Sequence, residues 1–344
     1  MLFLRPSCTA PTGTTGALAA QNTDISISRT TGTNFMGQGI SFGLAAGALW
    51  GLVFLAPRLL PGFSPLELSA ARYVLYGLVS AMLLAPLWAR LRHSVTGHDW
   101  RALFRLSLVG NLIYYLFLAG AVQMAGIAPA SLIVGVLPVT VTLVGSRDHG
   151  AIPLSRLAGP LALVAAGIVC INVDVFAHAS ASGGDWRLTL AGIACAVGAL
   201  VSWTWYAVAN ARYLARFGHF TSQEWSLLTG VATGALALAL AVPAVLLPHP
   251  VAAGAPRDWQ MFLMVNIAVA IGASTIGNAF WNAASRRLPL TLSGQMIVFE
   301  TLFALVYGFI YEQRVPRLLE LAAIALLLAG VSASVRLHSR GSTH

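Results

Sequence analysis

Ten stretches of about twenty apolar residues, separated by short segments that hold most of the charge, limit this chain to very few folds. They run approximately over 38–56, 66–87, 103–124, 128–146, 154–173, 187–209, 222–247, 261–283, 291–311 and 317–336. About 20 apolar residues cross a hydrocarbon core about 30 Å thick, and in lipid each crossing segment has to satisfy its own backbone polar groups. The pattern therefore predicts an all-α membrane protein with ten transmembrane helices. Composition agrees: 9% of residues are charged, against about 25% in an ordinary soluble domain, and mean hydropathy is +0.77. Residues 1–36, rich in Thr, Gly, Ser and Ala, lack the apolar core of a signal peptide despite Ala17, Ala19 and Ala20, and are expected to form a flexible cytoplasmic tail. Residues 338–344 are expected to be a second cytoplasmic tail.

All 20 basic residues are arginine, and the formal net charge is +9. A nucleic-acid partner would need a basic face with interleaved aromatics; these arginines sit instead in loops between apolar segments, where they report topology and attraction to anionic headgroups. With the N-terminus inside, 14 of the 20 fall on the inner side, among them Arg90, Arg92, Arg101 and Arg105, and both termini are cytoplasmic. A multi-pass protein of the cell inner membrane is expected, with the lipid bilayer as its surroundings and no nucleic acid. Without lysine the chain has neither a Schiff-base nucleophile nor a P-loop. Cys8, Cys170 and Cys195 are far apart, and most histidines, including His93, His98, His178, His219, His249 and His338, are expected in loops or tails, so no disulfide, metal site or cofactor is expected. The helices contain no His-Glu-x-x-His or Gly-x-Ser-x-Gly run, which argues against an intramembrane enzyme.

The third and fourth segments align with the eighth and ninth at a shift of 163 residues: Asn111 meets Ser274, Tyr115 meets Asn278, Pro138 meets Thr301 and Gly145 meets Gly308. Trp50 of the first segment meets Trp203 of the sixth at a shift of 153. Five crossings are an odd number, so a second copy enters the membrane from the opposite side, giving two inverted repeats over 37–175 and 186–337.

Several of these segments carry a familiar order of motifs. The first reads AAGALWGLVFLAPRLL; the second, ELSAARYVLYG, holds Arg72 and Tyr73; the fourth has Pro138; the fifth and tenth read LVAAGIVCI and LLLAGVSAS; the ninth has Glu300. In this order the chain resembles the EamA-type transporters of the drug/metabolite transporter superfamily over nearly its whole length beyond the first tail. The resemblance implies two inverted five-helix EamA-type repeats and a secondary transporter that exports a small metabolite such as an amino acid or amine. One departure is that Thr301 follows Glu300 where the family usually has proline, which leaves the ninth helix without a proline kink.

Glu300 lies in the middle of an apolar segment, where a carboxylate is either a proton or cation site or one partner of a structural pair. Arg72 has three possible fates: binding a substrate carboxylate, pairing with Glu67, or snorkelling to headgroups, the last two being the commoner. On the eighth segment Ser274, Asn278, Trp281, Asn282 and Ser285 share one face, and the third answers with Asn111, Tyr114 and Tyr115. Such polar stripes line a central cavity or serve as interhelical glue; the clustered aromatics favour the cavity, with Trp50 and Trp203 added from the first and sixth segments. Gly43, Gly47 and Gly51 mark a close helix contact. Alternating access with a small-molecule substrate and possible coupling to protons is the expected function; a membrane scaffold or a channel is the alternative.

Overall fold

The computed structural model describes residues 35–147, 153–179, 186–246, 257–311 and 313–341. Cys8, most of the expected first tail and His249 lie outside them. The described residues are almost entirely helical: α1 (Phe35–Leu59), α2 (Pro65–Leu91), α3 (Gly97–Ala125), α4 in two arms (Ile127–Val134 and Leu137–Gly145), α5 (Leu154–Ala179), α6 (Trp186–Arg216), α7 (Ser222–Leu246), α8 (Trp259–Arg287), α9 in two arms (Leu290–Met296 and Val298–Tyr311) and α10 (Leu318–Gly341). Eight of these are long and apolar enough to cross a membrane; α4 is too broken, and the apolar run of α5, Leu154–Cys170, is shorter. The chain is a multi-pass membrane protein.

Several helices outrun their apolar segments because polar caps extend them. α3 starts at Gly97, where Thr96 and Asp99 form a capping box: the Thr96 N–H donates to the Asp99 carboxylate and the Asp99 N–H to the Thr96 hydroxyl. At the other end, α10 runs through His338 rather than stopping before it. The His338 ring is buried, with Nδ1 donating to the Ser334 carbonyl and Nε2 accepting from the Thr291 hydroxyl, so His338 belongs to packed helix and not to a tail.

α2 packs along α7, α5 along α10, α3 along α6, and the second arm of α4 against the first arm of α9. Several local devices occur twice. Ser64 and Glu67 form a capping box at the start of α2, and Thr221 and Glu224 make the same reciprocal bonds at the start of α7. Glu67 then pairs with Arg257, just before α8, and Glu224 with Arg90, near the end of α2. The Phe63 carbonyl accepts from Gln123 at the end of α3, and the Phe220 carbonyl from Arg286 at the end of α8. α3 widens to π-helix over Leu108–Ile113 and α8 over Ala270–Gly277.

Because Arg90 near the end of α2 reaches Glu224 at the start of α7, these helices run antiparallel, and the two ion pairs lie at opposite ends of the α2–α7 pair. Between them the backbones touch. A Cβ on Gly77 would lie 2.5 Å from the Cα of Gly234, and a Cβ on Gly234 the same distance from the Cα of Gly77. Neither backbone can yield to a side chain, so Gly77→Leu is expected to cost at least about 1–3 kcal/mol through overpacking. A melting curve of the detergent-purified protein checks this, with Gly97→Ala as control, since a Cβ there meets nothing within 4 Å.

Candidate functional site

The centre of the bundle is assembled where helices depart from regular α geometry. In α3 the π-helical turn carries Gly110 and Asn111; in α8 it carries Ser274. Insertions of this kind recur at functional sites because they change the register in which side chains face a partner. Gly110 lets the Tyr206 ring of α6 lie directly on α3, since a Cβ there would come within 2.2 Å of a ring carbon. In α8 the Ala273 carbonyl accepts from the Trp50 indole at 3.0 Å, and Gly277 leaves room for that indole.

α1 meets α9 through its glycines. A Cβ on Gly43 would lie 2.9 Å from the Cβ of Met296, one on Gly47 2.9 Å from the backbone nitrogen of Glu300, and one on Gly51 2.8 Å from that of Ala304. The Tyr307 hydroxyl also donates to the Ala48 carbonyl at 3.0 Å. α9 breaks at Ile297, between its arms, and no proline is needed for the break. Glu300 enters the second arm one turn later, close against α1.

These elements enclose a small cavity, about 20 Å³ where the centre of a water fits, which is room for a water and not for a solute. Of the residues singled out in the sequence, Trp50, Arg72, Asn111, Tyr114, Trp203, Asn278 and Glu300 line it, with Val53, Tyr73 and Gly110 completing the wall. Trp50, Trp203 and Trp281 form a triangle with ring centroids 5.3 to 5.4 Å apart. Trp281 thus backs the wall without lining it, and its indole N–H is buried with no partner.

Arg72 neither pairs with Glu67 nor reaches headgroups. Its residue is 5% exposed, its Nε donates to the Ser274 hydroxyl at 3.0 Å, and its guanidinium lies 4.3 Å from the centre of the Tyr115 ring and 4.9 Å from that of Tyr73. Glu67 is taken by Arg257 instead. Ser274 and Tyr115 are therefore supports of Arg72 and stand behind the wall. The Nη1 of Arg72 is buried without a hydrogen-bond partner. Glu300, 4% exposed, has the Tyr114 hydroxyl within hydrogen-bonding reach.

The asparagines divide. Asn111 donates to the Thr233 hydroxyl at 2.9 Å and Asn278 to the Tyr76 hydroxyl at 3.3 Å, which anchors both amides to neighbouring helices and leaves their carbonyl oxygens as acceptors beside the cavity. Asn282 instead accepts from Asn210 at 2.9 Å, and Asn210 accepts from the Trp225 indole at 2.8 Å, a buried network apart from the cavity. Tyr73 was named in the sequence only as part of a family motif, and Tyr76 and Gly110 were not singled out; the π-helical register that gives Gly110 its place has no sequence signature. Since the Ser274 hydroxyl accepts from Arg72 Nε, Ser274→Ala is expected to leave that donor of the buried guanidinium without its partner and to cost roughly 1–3 kcal/mol, read as a lowered melting temperature in detergent.

Residues 37–173 match the profile of the EamA-like transporter family. The chain is 33% identical over 312 residues to the inner membrane protein YtfF of Escherichia coli (strain K12), an alignment that covers 87% of this chain and 95% of that protein. A solved crystal structure shares the fold with a TM-score of 0.63 at 20% identity, covering 87% of this chain and 98% of its own. Sequence identity sustained over so much of both chains, together with the profile match, places the protein in the EamA-like transporter family of the drug/metabolite transporter superfamily.

Proposed function

We propose that the protein is a secondary active transporter that exports a small metabolite carrying both a carboxylate and an ammonium group, an amino acid being the simplest, by alternating access between two inverted five-helix repeats. The observation that carries this reading is the cavity wall itself: one basic and one acidic side chain, Arg72 and Glu300, on α2 and α9, with Nη1 of Arg72 unpartnered. A carboxylate ligand suits the guanidinium, and an ammonium suits Glu300 together with the faces of Trp50, Trp203 and Tyr114. A cavity with room only for water must open to take such a solute, which fits a cycle of conformations.

The twofold devices support the repeats. The capping boxes, the paired glycines and the acids of the two acid–arginine pairs recur at a shift of 157 residues in α2 and α7, and the π-helical turns recur at the shift of 163 that aligns α3 with α8. The ten helices then form ten crossings, repeat one over 37–175 and repeat two over 186–337. The name of the Escherichia coli relative supports an inner-membrane location, and the arginine distribution supports cytoplasmic termini. Rocking of one repeat against the other would strain the two acid–arginine pairs, which join the halves of the chain at opposite ends of the α2–α7 pair. A buried carboxyl that takes up a proton on one side and releases it on the other would couple solute export to proton entry, a role suited to Glu300.

In liposomes with an imposed pH gradient, labelled amino acids are expected to move against their concentration gradient, and Glu300→Gln is expected to abolish the gradient-driven component. No flux of any amino acid or amine with the unaltered protein would overturn this choice of substrate, and undiminished driven flux in Glu300→Gln would remove the carboxyl from coupling. Arg72→Gln is expected to raise KM for amino acids by about tenfold or more, from loss of a charge-assisted bond, and to leave amines without a carboxylate little changed.

A further inference from the structure

Away from the central cavity, α4 and α6 enclose a second hollow that opens onto the outer surface of the bundle. It measures about 430 Å³, within the range of roughly 300–1,000 Å³ typical of small-molecule sites. Val144, Leu200, Val201 and Val208 make its walls apolar, and Val201 is 63% exposed, so the hollow faces outward. Its floor carries two threonines whose polarity is already satisfied: the Thr140 and Thr204 hydroxyls are 2.9 Å apart, and each also reaches a carbonyl of its own helix, Leu137 and Leu200. What remains suits a hydrocarbon chain.

One end of this hollow is charged. Arg212 belongs to its rim, and on the other flank of Trp205 and Ala209, which line both, lies a cleft of about 270 Å³ that holds Arg101, Arg105 and His98. The Arg105 guanidinium stands 6.0 Å from the centre of the Trp205 ring, which keeps it beside the junction. Arg101, Arg105 and Arg212 are all exposed. The nearby carboxylate, Asp99, is buried and engaged by the Tyr213 hydroxyl, by Thr96 and by His219, so it offsets the cleft's positive charge only in part.

We propose that these two adjoining hollows bind one molecule of an anionic phospholipid, with an acyl chain between α4 and α6 and the phosphate beside Trp205, against Arg105 and Arg212. An apolar slot ending in arginines at the level where helices leave the membrane matches a lipid in both halves of its chemistry, hydrocarbon and anion. The general attraction of arginine for an anionic leaflet accounts for the charge alone; the slot adds a shape that selects a bound lipid over a passing one. The site is separate from the Arg72–Glu300 cavity and does not depend on which solute that cavity carries.

The test uses the full-length protein in detergent, with native mass spectrometry counting bound lipid during titration with phosphatidylglycerol or phosphatidylcholine. Tight binding of one phosphatidylglycerol is expected, weakened on the order of tenfold by Arg105→Gln with Arg212→Gln and unchanged by Arg92→Gln, an exposed arginine outside the hollow. Val201→Trp, which fills the slot and leaves every charge in place, is expected to weaken binding as well, and decides the matter if the arginine variant does not fold. Equal binding of the two lipids, binding that survives both sets of changes, or competition by glycerol phosphate as strong as by the lipid would overturn the proposal, the last by showing a free-anion site. Light scattering adds one further overturning outcome: a dimer that Val201→Trp dissociates would mean that a second copy of the chain fills the slot.

Discussion

A guanidinium held inside a bundle of membrane helices costs several kcal/mol unless its donors are met, and much of the protein's interior is arranged around Arg72. Ser274 accepts from it, the Tyr73 and Tyr115 rings offer it their faces, and Glu300 shares its cavity. Those partners come from α2, α3, α8 and α9, so meeting one buried charge ties together helices from both ends of the sequence. The π-helical turn of α8 that carries Ser274 belongs to the same arrangement, as do the α1 glycines that let α9 bring Glu300 close. In this sense the polar centre and the packing of the bundle are one problem with one solution.

The outline of the fold was legible because lipid writes it into composition: a segment that cannot hydrogen-bond to its surroundings has to be helical and apolar, and the runs mark themselves. Where helices end was less legible, since the Thr96–Asp99 capping bonds start α3 at Gly97, six residues ahead of the apolar segment read from 103. Breaks and π-helical turns were not legible at all. α9 breaks at Ile297 without proline, and α8 widens over Ala270–Gly277, because neighbouring helices make the altered register favourable.

The same division holds at the site. Spacing along a helix placed Ser274, Asn278, Trp281 and Asn282 on one face, but spacing cannot say what that face meets. Asn278 borders the cavity, whereas Asn282 closes a network with Asn210 and Trp225 one turn further on. Pairing with Glu67 was one of three fates the sequence left open to Arg72, whereas its hydroxyl acceptor, Ser274, lies 202 residues away. Local rules rank nearby charges first, and a bundle built from distant segments overrides that ranking.

The contact between Gly77 and Gly234 has a mechanical meaning. Two antiparallel helices that touch backbone to backbone can come no closer, and Tyr76 and Ser80 of α2 pack on Gly230 of α7 beside the contact, so any tilt between the two helices would have this point as its fulcrum. Glu67 precedes Gly77 by ten residues and Glu224 precedes Gly234 by ten, which puts each acid–arginine pair about 15 Å from that fulcrum, on opposite arms. A tilt of about 10° would displace each end by about 2.6 Å, enough to part an ion pair, while the crossing itself hardly shifts. Equal arms would give neither face of the membrane a mechanical advantage in such a tilt.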